Sequence, residues 1–409
     1  MLNIEKIRQD FPMIINKKMQ GKPLIYLDSG ATTLKPKKVI DAVCEYLSNY
    51  SGNAHRGDYD LSYEVDSAFE GARKKIADFI NAKEDKEIVF TSGASESLNL
   101  IAFGYVYSHI QSGEEILISM AEHASNTLPW FEIAKVKNAV VKYIDLDEHG
   151  RITIENVKKA ITPNTKYISL AMITNVLGYE APIKEITSLA HEHGIIMIVD
   201  GAQSVPHQKT DVQDLDIDFL VFSGHKMCGP TGIGVMYGKY PLLQDANPIR
   251  FGGGSNARYN SCGVVTLKNA PAKFEVGTPN IEGAIGLGAA VDYLMSIGMD
   301  EIEAYEKQLR QYAIQQLSKL DNVEIYNKDS STGPISFNLK GVFSQDGASL
   351  LNSKGIAVRA GQHCAKILEE FLGVSQTLRV SLYFYNTFEE IDALVEACKK
   401  GDDFLDAFF

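Results

Sequence analysis

From about residue 86 to residue 240 short apolar runs alternate with longer amphipathic stretches, and this alternation restricts the fold more than any other feature of the chain. Ile116-Leu117-Ile118, Tyr167-Ile168-Ser169-Leu170, Ile195-Ile196-Met197-Ile198-Val199 and Phe219-Leu220-Val221-Phe222 are apolar on both faces when read as strands. Such strands belong inside a largely parallel sheet covered by helices. The stretches at 64–80, 95–109, 183–193 and 281–296 have the periodicity of the covering helices. After Gly298 the pattern changes to a long charged helix near 300–320, the short runs Val323-Glu324-Ile325 and Ile335-Ser336-Phe337-Asn338-Leu339, a helix, and a final helix after Thr387. The expected architecture is a large α/β domain over 21–295 and a smaller α+β domain over 296–409, with residues 1–20 packing near the small domain.

Two domains also suit the length, because 409 residues exceed the usual size of one hydrophobic core and a 45% hydrophobic content can fill two. The net charge of −12 and the absence of a long Lys/Arg run argue against nucleic acid or a membrane surface as a partner. Ile4-Glu5-Lys6-Ile7-Arg8-Gln9-Asp10-Phe11 lacks the apolar centre of a signal peptide, and no uncharged span of membrane length follows, so a cytoplasmic protein is expected. Cys44, Cys228, Cys262, Cys364 and Cys398 are widely spaced, without a Cys-x-x-Cys pair that would suggest a metal. They read as free thiols, most of them packing residues.

Polar groups gather where the predicted strands end. Strand 195–199 runs into Asp200-Gly201-Ala202-Gln203-Ser204, and strand 219–222 into Ser223-Gly224-His225-Lys226. In open α/β sheets, ligands bind at the carboxyl ends of the strands. An acid and a lysine there suit pyridoxal 5′-phosphate (PLP), with Lys226 to hold the cofactor and Asp200 to keep its pyridine nitrogen protonated. A plain ion pair is the alternative. Ile88-Val89-Phe90 leads into Thr91-Ser92-Gly93-Ala94-Ser95-Glu96 and a helical pattern, which reads either as a helix cap or as a phosphate cradle. His123 follows the strand at 115–119 and Asn175 ends the strand that begins at Tyr167; each is either a ligand to the same crevice or an ordinary loop residue.

Ser223-Gly224-His225-Lys226 followed by Gly232-Ile233-Gly234-Val235 resembles the PLP-lysine signature of class V aminotransferases. Asn53-x-His55-Arg56-Gly57, Glu122-His123, Asp200-Gly201-Ala202-Gln203, Gly277-Thr278-Pro279-Asn280 and Arg359-Ala360-Gly361-Gln362-His363-Cys364 are similar to the SufS group of cysteine desulfurases, over nearly the whole chain. The resemblance implies an aminotransferase fold type I large domain with a mostly parallel seven-stranded sheet. It implies that Lys226 bonds the cofactor, Asp200 the ring nitrogen and Gln203 the ring hydroxyl, that His123 stacks on the ring, and that Asn175 lies near the ring hydroxyl and the substrate. The phosphate would be held by Ala94, Ser95, Ser223 and His225, with Thr278 reaching in from the second subunit of a homodimer. Arg379 would bind the substrate carboxylate, a task suited to a planar bidentate donor, and Arg359, His55 and Arg56 would line the pocket or the dimer interface. Gln362 stands where a second histidine is usual, Ala94 where threonine is frequent, and Ser255-Asn256-Ala257-Arg258 where the family is more apolar.

The implied reaction converts L-cysteine to L-alanine and leaves the sulfur on Cys364 as a persulfide, for delivery to a SufE-like or SufU-like acceptor protein and to iron–sulfur cluster assembly. Cys364 follows a glycine turn, neighbours a histidine and an arginine, and precedes a predicted helix, a setting of positive potential that the other four cysteines lack. The rival readings are a selenocysteine lyase, another class V PLP enzyme, and a catalytically silent sulfur-trafficking protein.

Overall fold

In the computed structural model, which describes residues 2–54 and 57–399, the alternating apolar runs become the strands of one sheet. Its order is Ile88–Thr91, Gly234–Gly238, Phe219–Ser223, Ile196–Asp200, Thr165–Ala171, Glu115–Ser119 and Val140–Ile144. The five strands from Phe219–Ser223 to Val140–Ile144 pair in parallel, and Gly234–Gly238 runs antiparallel to both its neighbours. Successive side chains feed two cores. Ile116, Ile118, Ile198, Phe219, Val221 and Met236 pack with Leu98 and Trp130 on one side. Leu117, Met197, Val199, Leu220, Phe222 and Val235 pack with the helices Asp60–Phe79, Ile183–Glu192 and Ile281–Ile297 on the other. Burial of both faces is why the runs carry no polar alternation.

Two strands carry weaker sequence signals. Val140–Ile144 is the sheet edge, with its Val140 and Tyr143 exposed, and Gly234–Gly238 begins and ends on glycine. A Cβ at Gly234 would lie 2.4 Å from Gly93 Cα, so the glycine lets the turn before Ala94 approach the neighbouring strand.

Past Gly298 the chain builds a four-stranded antiparallel sheet in the order Val323–Ile325, Ile335–Leu339, Thr377–Val380, Arg359–Gly361. Helices Met299–Leu317, Ser344–Ser353 and Phe388–Lys399 pack on it around Leu309, Phe337, Leu350, Leu378 and Leu394. Of two early segments, one joins this part of the molecule and the other packs into the larger core. Ile25–Tyr26 pairs in parallel with Ile356–Ala357, and Leu27 is buried in the C-terminal core. Phe11 is fully buried against the rings of Tyr293, Phe384 and Tyr385, while Arg8 donates to the Tyr385 carbonyl at 2.6 Å and pairs with Glu390. Among the described residues no single helix is long and apolar enough to cross a membrane.

Candidate active site

The parallel strands finish on a common edge, at Ser119, Ala171, Asp200 and Ser223, and the loops that follow surround a cavity of about 290 Å³. Ala94, Ser95, His123, Asn175, Asp200, Gln203, Ser223, His225, Lys226, Arg359, Cys364 and Arg379 all line it. Thr278 does not. It lies on a separate cavity with Ser92, Gly232, Arg250 and Asn280. His55 and Arg56 lie outside the described residues. One placement differs from the sequence reading: the strand beginning at Thr165 ends at Ala171, so Asn175 sits four residues further on, in the loop.

Lys226 closes a single helical turn, Gly224–Lys226, held by the His225 carbonyl. That oxygen accepts from the Thr33 N–H at 3.0 Å, from the hydroxyls of Thr32 and Thr33 at 3.0 and 3.1 Å, and from Lys35 Nζ at 2.9 Å. Burial pushes the Lys226 amine down to about 8, against the pull of Asp200, so roughly a tenth of it is neutral and nucleophilic at pH 7, far more than for an exposed lysine. Burial, then the charges of Lys226 and Lys35, push His225 down to about 4, which leaves its imidazole neutral. Asp200 Oδ1 accepts from the Ala202 N–H at 2.9 Å, and Gln203 Nε2 donates to the Gly30 carbonyl at 2.8 Å. His123 Nδ1 accepts from the Ser125 N–H at 3.1 Å, which leaves the ring proton on Nε2. Its pKa is lowered by burial and by Lys226.

Behind His123, Glu122 is fully enclosed. It accepts from Ser119 Oγ and Asn126 Nδ2 at 2.7 Å each and from the Ala171 N–H at 2.9 Å, and burial raises it to about 8. These bonds tie the loop carrying His123 to the strand beside Asp200.

Cys364 projects from a segment in an uncommon backbone conformation. His363 and Cys364 have φ of 50° and 57°, which costs residues other than glycine about 1 kcal/mol each. Neighbouring bonds hold the segment in place: Asn175 Nδ2 donates to the His363 carbonyl and the Ala124 N–H to the Cys364 carbonyl, both at 2.7 Å. Ala365 and Leu368 pack with Ala121, Val176 and Leu177 beneath it. Cys364 thus lines the cavity and is exposed to solvent. Cys228 and Cys398 are buried. Positive potential at Cys364 does not come from its histidine neighbour, as the sequence suggested. His363 is pushed to about 3 by burial and by Arg379, so it is neutral, and the nearby cations are Arg359 and Arg379.

Residues that the sequence reading passed over complete the site. Gly30, Ala31, Ser125 and Ile173 line the cavity, and Asp28 pairs with both arginines. Leu27-Asp28-Ser29-Gly30, an acid and a small turn after an apolar run, carries the same strand-end signal as Asp200-Gly201.

The cavity fits a planar, polar cofactor joined to an amino acid. Asn175 Oδ1 and Arg379 Nε are buried at its wall without partners, and a Cβ at Gly30 would come within 2.7 Å of Ser381 Oγ and 3.5 Å of Arg379 Nη2. Orphaned buried polar atoms beside an open volume mark places where a ligand completes the hydrogen bonding.

The model of the class V aminotransferase family matches residues 25–394. The chain belongs to this family. A protein of Halalkalibacterium halodurans named "Probable cysteine desulfurase" is 46% identical over 411 residues, covering 100% of both chains. One of the same name from Staphylococcus aureus is 44% identical, covering 98% of this chain and 97% of its own. The crystal structure of the cysteine desulfurase CsdA from Escherichia coli superposes with a TM-score of 0.92 at 37% identity, covering 98% of this chain and 99% of that one. An apo cysteine desulfurase from Thermococcus onnurineus also scores 0.92, at 36% identity, covering 98% of both chains. Within this class V framework, the combination of Lys226, Asp200 and an exposed thiol on one cavity is the feature with the most chemical content.

Proposed function

We propose that this chain is a PLP-dependent cysteine desulfurase that converts L-cysteine to L-alanine and keeps the sulfur on Cys364 as a persulfide. The observation that supports it is the convergence of a buried lysine of lowered pKa, a carboxylate, two arginines and an exposed thiol on one cavity at the strand ends. Lys226 would hold PLP covalently, Asp200 its ring nitrogen, Gln203 and Asn175 its ring hydroxyl, His123 its face, and Ala94, Ser95, Ser223 and His225 its phosphate. When bound, PLP supplies an electron sink that weakens the bonds at the substrate Cα.

The chain's own residues do the rest. Arg379, helped by Arg359, binds the substrate carboxylate and fixes which Cα bond is presented. Lys226 Nζ would be the base that takes the Cα proton. Cys364 Sγ attacks the substrate sulfur: an S–S bond forms, the Cβ–S bond breaks, and the three-carbon remainder takes up protons to leave as alanine. The strained segment under Cys364 holds the thiol at the cavity, while its exposure leaves the persulfide open to an acceptor protein of the SufE-like or SufU-like kind. We place this activity in the cytoplasm, as a source of sulfur for iron–sulfur clusters.

The direct test supplies L-cysteine or L-selenocysteine to the holoenzyme and measures alanine, sulfide and selenide with and without candidate acceptors. Acceptor-stimulated alanine release from L-cysteine is expected. Turnover of selenocysteine alone would replace this reading with a selenocysteine lyase.

Because Lys226 is held near 8, the rate at which apoprotein captures PLP should rise about tenfold between pH 7 and pH 9 and then flatten, whereas an unperturbed lysine would give about 100-fold and no plateau. Stopped-flow absorbance with added PLP measures this.

The active unit in this reading is a homodimer in which Thr278 completes the partner's phosphate site. Light scattering should give a dimer, and Thr278→Glu should lose PLP through charge repulsion. Coexpressing Lys226→Ala with Thr278→Glu leaves one intact site in each mixed dimer, so about a quarter of wild-type activity should return. No return would place Thr278 with the cofactor of its own chain.

A further inference from the structure

Two guanidinium groups line the cavity, one half-exposed and one buried, and one carboxylate serves both. Asp28 takes Arg359 side-on, with Nη2 2.9 Å from Oδ2 and Nε 3.2 Å from each carboxylate oxygen. Its Oδ1 lies 3.6 Å from Arg379 Nη2. Arg379 is buried, spends Nη1 on the Asn175 carbonyl at 2.9 Å, and has no partner for Nε. The edge formed by Nε and Nη2 is one that binds a carboxylate through two parallel hydrogen bonds. On Arg359 that edge is filled by Asp28; on Arg379 Nε has no partner and Nη2 has only the more distant Asp28 Oδ1.

We propose that Asp28 is a specificity-determining residue: as the resident counter-ion of Arg359, it limits the site to amino acids with a single carboxylate and turns away those whose side chain carries a second one. The proposal rests on reading the cavity as an amino-acid site. Charge counting at this end of the cavity supports it. Arg359, Arg379 and Asp28 sum to one positive charge, which one α-carboxylate neutralises. A second carboxylate would find neither arginine free to receive it, and Asp28 would repel it. The thiol of L-cysteine meets no such obstacle. Asp28 acts through Arg359 rather than on the substrate, and Asn in its place keeps the shape and removes the charge.

L-aspartate and L-asparagine are nearly isosteric, so their relative affinity isolates the charge. Each is titrated into the holoenzyme, alone and in competition with L-alanine, and followed by the visible absorbance change. Wild type should bind L-aspartate at least tenfold more weakly than L-asparagine. Asp28→Asn should shift that ratio by tenfold or more toward L-aspartate, and Arg359→Gln in the same background should abolish the gain, since the freed guanidinium is then missing. Equal binding of the pair by wild type would overturn the proposal without any variant having to fold, as would an unchanged ratio in Asp28→Asn. Should L-alanine itself leave the spectrum unchanged, the amino-acid reading of the cavity fails, an outcome distinct from failure of the Asp28 proposal alone.

Discussion

Cys364→Ala is expected to bind PLP and L-cysteine as the wild type does and to release L-alanine at least about 100-fold more slowly, because the nucleophile that takes the substrate sulfur is gone. The structure gives this substitution little else to disturb. The side chain is exposed, and the bonds that hold its segment come from backbone atoms, the Cys364 carbonyl to Ala124 and the His363 carbonyl to Asn175. Folding and cofactor retention should therefore be unchanged. L-selenocysteine should survive the substitution better than L-cysteine, since its weaker bond to carbon needs less assistance. Mass spectrometry after a brief pulse of L-cysteine should find one added sulfur on the Cys364 peptide of the wild type. Sulfur found only on another cysteine, or full turnover by the variant, would end the persulfide mechanism.

Lys226→Ala should lower alanine release by about 1,000-fold or more, since the same amine both holds the cofactor and moves the Cα proton. Residual PLP would be bound without a covalent link. Borohydride reduction of the wild type followed by peptide mapping should put the pyridoxyl group on Lys226, and its appearance on Lys35 would be the informative failure. Lys35 is the nearest competitor in chemistry, as burial also brings it to about 8, yet its Nζ is spent on the carbonyls of Thr33 and His225.

Local pattern carried much of the architecture because both faces of the central strands are buried, so apolar continuity in 116–118, 167–170, 196–199 and 219–222 had one structural explanation. It carried less at the sheet margin. Val140–Ile144 is half exposed, and Gly234–Gly238 runs against the others between glycines, so neither shows an unbroken apolar run. The same division holds in the site. Asp200, Ser223 and Lys226 follow directly from strands, and their meeting could be read from strand-end logic. Asp28 carries the same strand-end signal, but what it meets could not be read that way, because its partners Arg359 and Arg379 come from the opposite end of the chain. The neutrality of His363 depends on burial and on Arg379, neither of which appears in the local string Gly361-Gln362-His363-Cys364.

The pairing of Ile25–Tyr26 with Ile356–Ala357, together with the bridge from Asp28 to Ser381, has a consequence for how the protein comes into being. On the ribosome, residues 25–28 emerge first and wait for partners made almost last. The strands that carry Asp200 and Lys226 can pair as they emerge, since their neighbours lie close in sequence, but the grip on the substrate carboxylate cannot close until residue 381 is free of the exit tunnel. Nascent chains would thus present a lysine that can already capture the cofactor before they can select an amino acid to go with it.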